Sequence, residues 1–272
     1  ELGQSLWLDF ISRDYISGGK LQDMINDGLR GITSNPTIFD KAIAGSNSYD
    51  SEIAELLAKG SSTIEIYEQL VIKDIQSACK MMLPIYQRTK GLDGYVSLEV
   101  NPKLAYKTEG TIAEAVRLYQ TVGAPNLMIK VPATGEGIPA VKELISHGIS
   151  VNVTLIFSIE SYIETAKAFI EGLEILKQNG GDVSKVASVA SFFVSRVDSA
   201  CDSALEKVGN KDLQGKIAVA NAKIAFKEFN GMFSGDRWNN LLSSGAMPQR
   251  VLWASTGTKN PAYSDVLYVD EL

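Results

Sequence analysis

Histidine and cysteine are scarce in this sequence, and their scarcity limits the chemistry that it can perform. There is one histidine, His147, among 272 residues, and it precedes Gly148 at the end of a predicted helix. A Ser-His-Asp triad needs a histidine as its base, and most zinc sites draw on several His or Cys ligands. Both kinds of site are therefore disfavoured, and we expect no metal centre.

The two cysteines, Cys79 and Cys201, lie far apart within helical patterns and lack the spacing of a CxxC motif. Isolated thiols of this kind are typical of reduced, cytoplasmic proteins. No apolar run approaches the roughly 18–20 residues that span a bilayer. The net charge of −6 gives no electrostatic reason to bind nucleic acid or an anionic membrane. We therefore predict a cytoplasmic protein, in which a phosphorylated substrate would need a local cluster of cations.

Apolar segments with strand character alternate with longer helical patterns along the whole chain. The predicted helices lie at 49–89, 111–122, 136–147, 158–178, 197–207 and 212–230. The predicted strands lie at 5–10, 31–36, 94–100, 126–134, 150–156, 185–191 and 249–255. This alternation indicates parallel βαβ units.

Polar residues interrupt the predicted strands at alternate positions. They are Asp9, Thr33, Asn35, Ser97, Glu99, Lys130, Asn152 and Thr154. A period of two places such residues on one face of each strand, with apolar residues on the other. An open sheet covered by helices should be apolar on both faces, so a closed barrel with a polar interior explains the pattern better. We predict a (β/α)8 TIM barrel whose site lies at the carboxyl ends of its strands.

Lys130 lies in the middle of an apolar strand, between Ile129 and Val131. Removing an unpaired ammonium from water costs several kcal/mol, so a buried lysine needs a carboxylate partner or must lose its proton. A desolvated lysine is a nucleophile that forms a Schiff base with a carbonyl substrate. The simpler alternative is that Lys130 lies at a strand end and extends its ammonium to water.

The other strand residues suit carbonyl chemistry. The carboxylates of Asp9 and Glu99 would move protons as an imine forms and a C–C bond breaks. The side chains of Asn35 and Asn152 would hold substrate hydroxyls in place, which lowers a barrier through orientation. Alternatively, Asp9 and Glu99 form a structural ion pair with Lys130.

Two serine-containing segments near the end of the chain are candidates for a phosphate pocket. Residues 191–196 leave a strand and enter a helix, so that Ser191, backbone N–H groups and Arg196 could bind an anion. Ser255 and Lys259 follow the last predicted strand in a similar way. The alternative for Arg196 is an exposed position in the first turn of the helix.

Five segments resemble the signature segments of the transaldolase family in order and spacing. They are LWLDFISR at 6–13, GITSNPTIF at 31–39, SLEV at 97–100, MIKVPAT at 128–134 and VNVTLIF at 151–157. The resemblance covers the whole chain and implies a (β/α)8 barrel of the pentose phosphate pathway. Such an enzyme transfers a dihydroxyacetone unit from sedoheptulose 7-phosphate to glyceraldehyde 3-phosphate, and it needs no metal or organic cofactor.

The resemblance also implies a role for each matching residue. Lys130 would form the Schiff base, Glu99 would be the acid/base acting through a water that Thr154 helps to hold, and Asp9 would handle the substrate hydroxyl proton. The residues expected to bind substrate are Thr33, Asn35, Asn152, Ser191, Arg196 and Ser255. Many family members have an arginine just after the serine that matches Ser255, whereas Thr256 and Gly257 stand here, so we expect Lys259 to supply that charge.

The seventh predicted strand is the last that the sequence contains. Residues 266–269 follow it too closely to form an eighth parallel strand, because a parallel return needs a crossover of about a dozen residues or more. Members of the family continue well past this point. We therefore expect residues 1–272 to form a single barrel domain that is truncated at its C-terminus and lacks the last strand and helix.

Two other functions remain as alternatives. An aldolase of the same mechanism would release free dihydroxyacetone, and a catalytically silent homologue would bind sugar phosphates or serve as a scaffold. The presence of Lys130, Glu99 and Asp9 together argues against the silent homologue. A nicotinamide dehydrogenase is disfavoured because no Gly-x-Gly-x-x-Gly follows a predicted strand. The sequence leaves the oligomeric state open.

Overall fold

The computed structural model describes residues 3–272, in which helices and parallel strands alternate. The strands are β1 (Leu6–Leu8), β2 (Leu29–Thr33), β3 (Tyr95–Glu99), β4 (Leu127–Pro132), β5 (Val151–Ile156), β6 (Ser188–Phe193) and β7 (Arg250–Ala254). The helices are α1 (Arg13–Ser17), α2 (Lys20–Asn26), α3 (Pro36–Ala44), α4 (Asp50–Ala58), α5 (Thr63–Arg88), α6 (Thr108–Val122), α7 (Gly137–Ser146), α8 (Ile159–Gln178), α9 (Ser195–Lys207), α10 (Ile217–Met232), α11 (Gly235–Leu242) and α12 (Leu267–Glu271). None of the helices within residues 3–272 is long and apolar enough to cross a membrane.

The chain divides into two compact units. The first contains residues up to 104 together with 109–130, and the second contains 105–108 together with 131–272. The boundary falls within β4, just after Lys130.

In the first unit, β1 to β4 pair in parallel and in chain order. The register aligns Thr33 with Ser97 and Glu99 with Lys130, so polar residues meet where neighbouring strands end. Helix α5 packs against β3 and contributes a fully buried face that includes Ile75 and Met82. The sheet thereby gains an apolar support on its helix side while its polar residues collect at the carboxyl ends of the strands.

In the second unit, β5, β6 and β7 also pair in parallel and in chain order. Helices α7 and α8 pack closely, because Gly172 leaves room for its neighbours. A Cβ at that position would lie 2.7 Å from the Cβ of Ile145 and 2.7 Å from the carbonyl oxygen of Lys142. Strand β7 is half-buried at all five of its residues.

The strand order follows the chain from β1 to β7, which is the order of a (β/α)8 barrel. The predicted fold class is confirmed: this is an α/β fold of the TIM-barrel type, and residues 3–272 contain seven strands without an eighth. The segment at 266–269, which was judged too close to β7 for another parallel strand, lies at the start of α12.

The structure differs from the predicted elements mainly in its helices. The helical region predicted at 49–89 consists of two helices, α4 and α5, with a turn between them. Gly60 adopts a φ of +81° in that turn, and Ser62 caps α5 in a capping box with Glu65. A polar helix start was expected directly after the first strand, where α1 lies, whereas the short helices α2, α3, α11 and α12 were not predicted.

Candidate active site

Lys130 and Glu99 form a buried ion pair within the first unit. They are register partners on β4 and β3, and Lys130 Nζ lies 3.2 Å from Glu99 Oε2. Lys130 is 6% exposed, and its ammonium also donates a hydrogen bond to the carbonyl oxygen of Ser34, at 3.1 Å. The alternative in which Lys130 extends to water from a strand end is therefore wrong, since the ammonium is held inside by two oxygen atoms.

The surroundings of Glu99 raise the pKa of its carboxyl group above the ordinary value. Burial raises the pKa of Glu99, the ammonium of Lys130 opposes this rise, and the charge of Asp9 adds to it. Asp9 itself is exposed and follows directly after β1. Two carboxyl groups in such different surroundings suit different roles in proton transfer.

Ser34 is a part of this site that the sequence pattern did not identify. Its carbonyl accepts a hydrogen bond from Lys130, and its buried hydroxyl donates to the carbonyl of Ser97 at 2.7 Å. The alternation assigns Ser34 to the face opposite Thr33 and Asn35. This alternation does not extend to Ser34, because β2 ends at Thr33 and the chain turns towards α3. A proline at the first helical position, Pro36, was the available signal for that turn.

Thr33 and Asn35 have different surroundings. The Thr33 hydroxyl is buried and has no hydrogen-bond partner among the described residues. The side-chain oxygen of Asn35 accepts a hydrogen bond from the N–H of Ile38 at 3.0 Å and caps α3. Asn35 therefore has a structural role in addition to the predicted contact with substrate.

Within the second unit, Asn152 and Ser191 lie together. The Ser191 hydroxyl donates to Asn152 Oδ1 at 2.7 Å, and both side chains are buried. Thr154, two residues further along β5, is 1% exposed, and its hydroxyl makes no hydrogen bond within the described chain. A buried hydroxyl without a protein partner usually contacts a water or a ligand. Ser191, which was predicted to bind the phosphate, thus contacts Asn152, which was predicted to position the ketose.

The other predicted phosphate residues lie around the start of α9. The hydroxyls of Ser195 and Ser255 are 2.9 Å apart, and the Ser195 N–H donates to the Ser255 carbonyl at 3.1 Å. Ser255 has a φ of +57°, an uncommon conformation for a residue other than glycine. Such outliers often mark functional positions.

The two candidate cations lie at the surface of the second unit. Arg196, the second residue of α9, is exposed, and its guanidinium lies 4.9 Å from the centre of the Phe193 ring. Lys259 folds back over its own loop, with Nζ 3.8 Å from the point where Gly257 would carry a Cβ. Ser195, which sequence reasoning passed over, could have been found from its position at the start of a helix, where anion sites are commonly built.

No group of three or more His, Cys, Asp or Glu residues within 3–272 could hold a metal ion. The arrangement in the first unit is that of a buried amine beside a carboxyl group with a raised pKa. Such a pair can form and hydrolyse an imine with a carbonyl compound.

Comparisons with known proteins agree with this chemistry. A model of the family described as Transaldolase/Fructose-6-phosphate aldolase matches residues 6–272. A protein named Transaldolase from Trichodesmium erythraeum is 56% identical over 283 residues, covering 100% of this chain and 74% of its own length. Transaldolase 2 from Nostoc punctiforme is 48% identical and Transaldolase from Saccharopolyspora erythraea is 49% identical, each over 100% of this chain and 75% and 74% of their own lengths. The chain therefore belongs to the transaldolase/fructose-6-phosphate aldolase family, and it is an enzyme that transfers aldehyde or ketone residues.

Proposed function

We propose that the enzyme moves a dihydroxyacetone unit from sedoheptulose 7-phosphate to glyceraldehyde 3-phosphate through a Schiff base on Lys130. The products would be erythrose 4-phosphate and fructose 6-phosphate. The observation that carries the proposal is the buried pair of Lys130 and Glu99, whose atoms lie 3.2 Å apart. Sugar phosphates as substrates agree with the description of the family, and the matched relatives are named transaldolases.

Glu99 is the proposed acid/base for imine formation. Its carboxylate accepts a proton from the Lys130 ammonium, which frees the amine to attack the ketone carbon of the donor. The resulting carbinolamine loses water, and the raised pKa of Glu99 leaves it able to return the proton to the departing oxygen. The hydrogen bond from Nζ to the Ser34 carbonyl supports the orientation of the amine.

Asp9 is the proposed base for the C–C bond cleavage. It would accept the proton of the hydroxyl next to the breaking bond, so that the aldehyde product leaves and the bonding electrons move to the iminium. The enamine that remains attacks the carbonyl carbon of the acceptor, and the proton returns to the new hydroxyl. Hydrolysis of the imine then releases the product and regenerates Lys130.

The other residues would bind or position the reactants. We assign Asn35, Thr33 and Asn152 to the substrate hydroxyls, and Ser191, Ser255, Arg196 and Lys259 to its phosphate. Thr154 would hold the water that carries protons for Glu99. Its buried hydroxyl, which lacks a partner within residues 3–272, supports this assignment.

A product assay separates the proposal from its alternatives. With both sedoheptulose 7-phosphate and glyceraldehyde 3-phosphate present, we expect equal amounts of erythrose 4-phosphate and fructose 6-phosphate. An enzyme that instead releases free dihydroxyacetone from fructose 6-phosphate, at a similar rate with or without an acceptor, would be an aldolase. The absence of any turnover by folded protein would favour the silent homologue.

A further inference from the structure

Two aspartates on α9 tie the segment that follows β7 to the rest of the second unit. Asp198 and Asp202 are four residues apart, so they lie one helical turn apart on the same side of α9. Asp198 accepts two hydrogen bonds, one from the N–H of Ala218 at 2.9 Å and one from the hydroxyl of Tyr268 at 2.6 Å. One carboxylate therefore connects the start of α10 with the end of the chain segment after β7.

Asp202 repeats this arrangement one turn later. It accepts from the N–H of Gly215 at 3.0 Å and from the hydroxyl of Tyr263 at 2.7 Å. The ring of Tyr263 lies directly against Gly215, where an added Cβ would come within 3.0 Å of the ring. Gly215 also has a φ of +69°, so this contact depends on the absence of a side chain.

Both tyrosines are held firmly as hydrogen-bond donors. Tyr268 is 3% exposed and packs with Val194, Ala218 and Val219. Burial and the neighbouring Asp198 raise the pKa of Tyr268, and burial together with Asp202 raises the pKa of Tyr263 to about 12. Both hydroxyls therefore keep their protons at physiological pH, and a hydrogen bond to a charged acceptor is stronger than a neutral one.

The segment between these anchors carries the proposed phosphate ligands. At its start, Ser255 contacts the hydroxyl and the N–H of Ser195. At its end, Tyr263 is bonded to Asp202. Lys259 lies between the two fixed points and lines a cavity of about 360 Å³ together with Ser195 and Asn260, and the carboxyl-bearing residues Asp198, Asp202 and Glu206 of α9 line the same cavity. The loop that presents Ser255 and Lys259 is thus restrained on both sides.

We propose that Tyr263 and Tyr268 are positioning residues for phosphate recognition, because their bonds to Asp202 and Asp198 fix the loop that carries Ser255 and Lys259. The inference rests on the proposed function, in which this loop binds the substrate phosphate. The hydroxyls of both tyrosines are bonded to aspartates of α9, and we assign them no contact with the reacting atoms. Their removal should weaken phosphate binding without changing the chemistry at Lys130, since a ligand pays less entropy on binding to a preorganised loop.

The test compares donors with and without a phosphate. In the variants Tyr263→Phe and Tyr268→Phe, which lose only a hydroxyl, we expect the KM for fructose 6-phosphate to rise about threefold to tenfold. The kcat with that donor should stay close to that of the wild type. Inorganic phosphate should inhibit the variants less strongly than the wild type. Activity with fructose and unphosphorylated glyceraldehyde should not change. Tyr106→Phe, which alters an exposed tyrosine, serves as the matched control.

A thermal unfolding measurement shows whether each variant is folded. If Tyr268→Phe does not fold, the test uses Tyr263→Phe and Asp202→Asn, which alter the less buried of the two tyrosine–aspartate pairs. Equal losses with phosphorylated and unphosphorylated substrates, or no change in KM and phosphate inhibition in the folded variants, would overturn the inference. A separate result would refute the phosphate site itself. The wild-type enzyme would then have the same KM for fructose 6-phosphate and for fructose, and Lys259→Met would leave the KM for fructose 6-phosphate unchanged.

Discussion

The carboxyl group of Glu99 lies 3.2 Å from the ammonium of Lys130 because the two residues are register partners on neighbouring parallel strands. Their separation is therefore set by the spacing of the sheet, and not by a flexible loop. A pair fixed in this way is preorganised, which is the condition under which proximity lowers a reaction barrier. Substitution of either Glu99 or Lys130 should consequently affect the chemical steps more than substrate binding.

We predict that Glu99→Gln removes a pH-dependent step from both catalysis and stability. Because the pKa of Glu99 is raised in the folded enzyme, its stabilising contribution is complete below the ordinary value of about 4.3 and is lost as the pH rises through the raised value. The unfolding free energy of the wild type should decline over this interval. In Glu99→Gln the decline should be smaller, since Asp74 and Glu114, whose pKa values burial also raises, still contribute to it, and the corresponding limb of the kcat profile should disappear.

Urea unfolding at a series of pH values measures this slope. The absolute stability of Glu99→Gln is less informative, because the substitution leaves a buried ammonium without its counter-charge. Glu160→Gln, which replaces an exposed glutamate at the start of α8, should keep the wild-type slope. An unchanged slope and an unchanged kcat profile in Glu99→Gln would contradict the prediction.

We predict that Thr154→Val lowers kcat without lowering stability. The side chain keeps its shape, and the hydroxyl that is lost has no hydrogen-bond partner within the described chain. If that hydroxyl holds a catalytic water, kcat should fall about a hundredfold. Thr165→Val is a matched control, since its hydroxyl is equally buried and unpartnered but lies in α8. Full activity of Thr154→Val would show that no such water depends on it.

We predict that Gly172→Ala destabilises the second unit. The new methyl group would meet the Lys142 carbonyl and the Ile145 side chain at 2.7 Å, so that α7 and α8 must separate. Overpacking of this kind costs about 1–3 kcal/mol. Gly231→Ala in α10, where no atom lies within 4 Å of the added Cβ, should be neutral or stabilising. Thermal or urea unfolding distinguishes the two, and equal stabilities would indicate that the helices accommodate the methyl group.

The strand residues of the first unit could be predicted from the sequence because their signal is local. An alternation of polar and apolar residues identified Glu99 and Lys130, and parallel pairing placed both at the carboxyl ends of their strands. The pairing partner itself is a matter of register, which the alternation alone does not determine. The contact between Lys130 and the carbonyl of Ser34 could not be predicted, since any residue supplies a carbonyl.

Fewer of the contacts in the second unit could be predicted from the sequence. Ser195 meets Ser255 through a hydrogen bond between residues 60 positions apart, and no periodic pattern connects them. The tyrosine–aspartate pairs depend on how α9, α10 and the segment after β7 pack, which only the folded chain specifies. The site roles, the cytoplasmic location and the single-domain organisation of residues 1–272 stay predictions.

The central claim is that Lys130 forms an imine with the donor sugar, and borohydride trapping tests it most directly. The enzyme is incubated with fructose 6-phosphate, reduced, digested and mapped by peptide mass. The account predicts a dihydroxyacetone adduct on the peptide that contains Lys130. The adduct should be lost in Lys130→Met and retained in Lys80→Met, which replaces an exposed lysine on α5. Folded wild-type enzyme that yields no adduct, or an adduct on a different lysine, would contradict it.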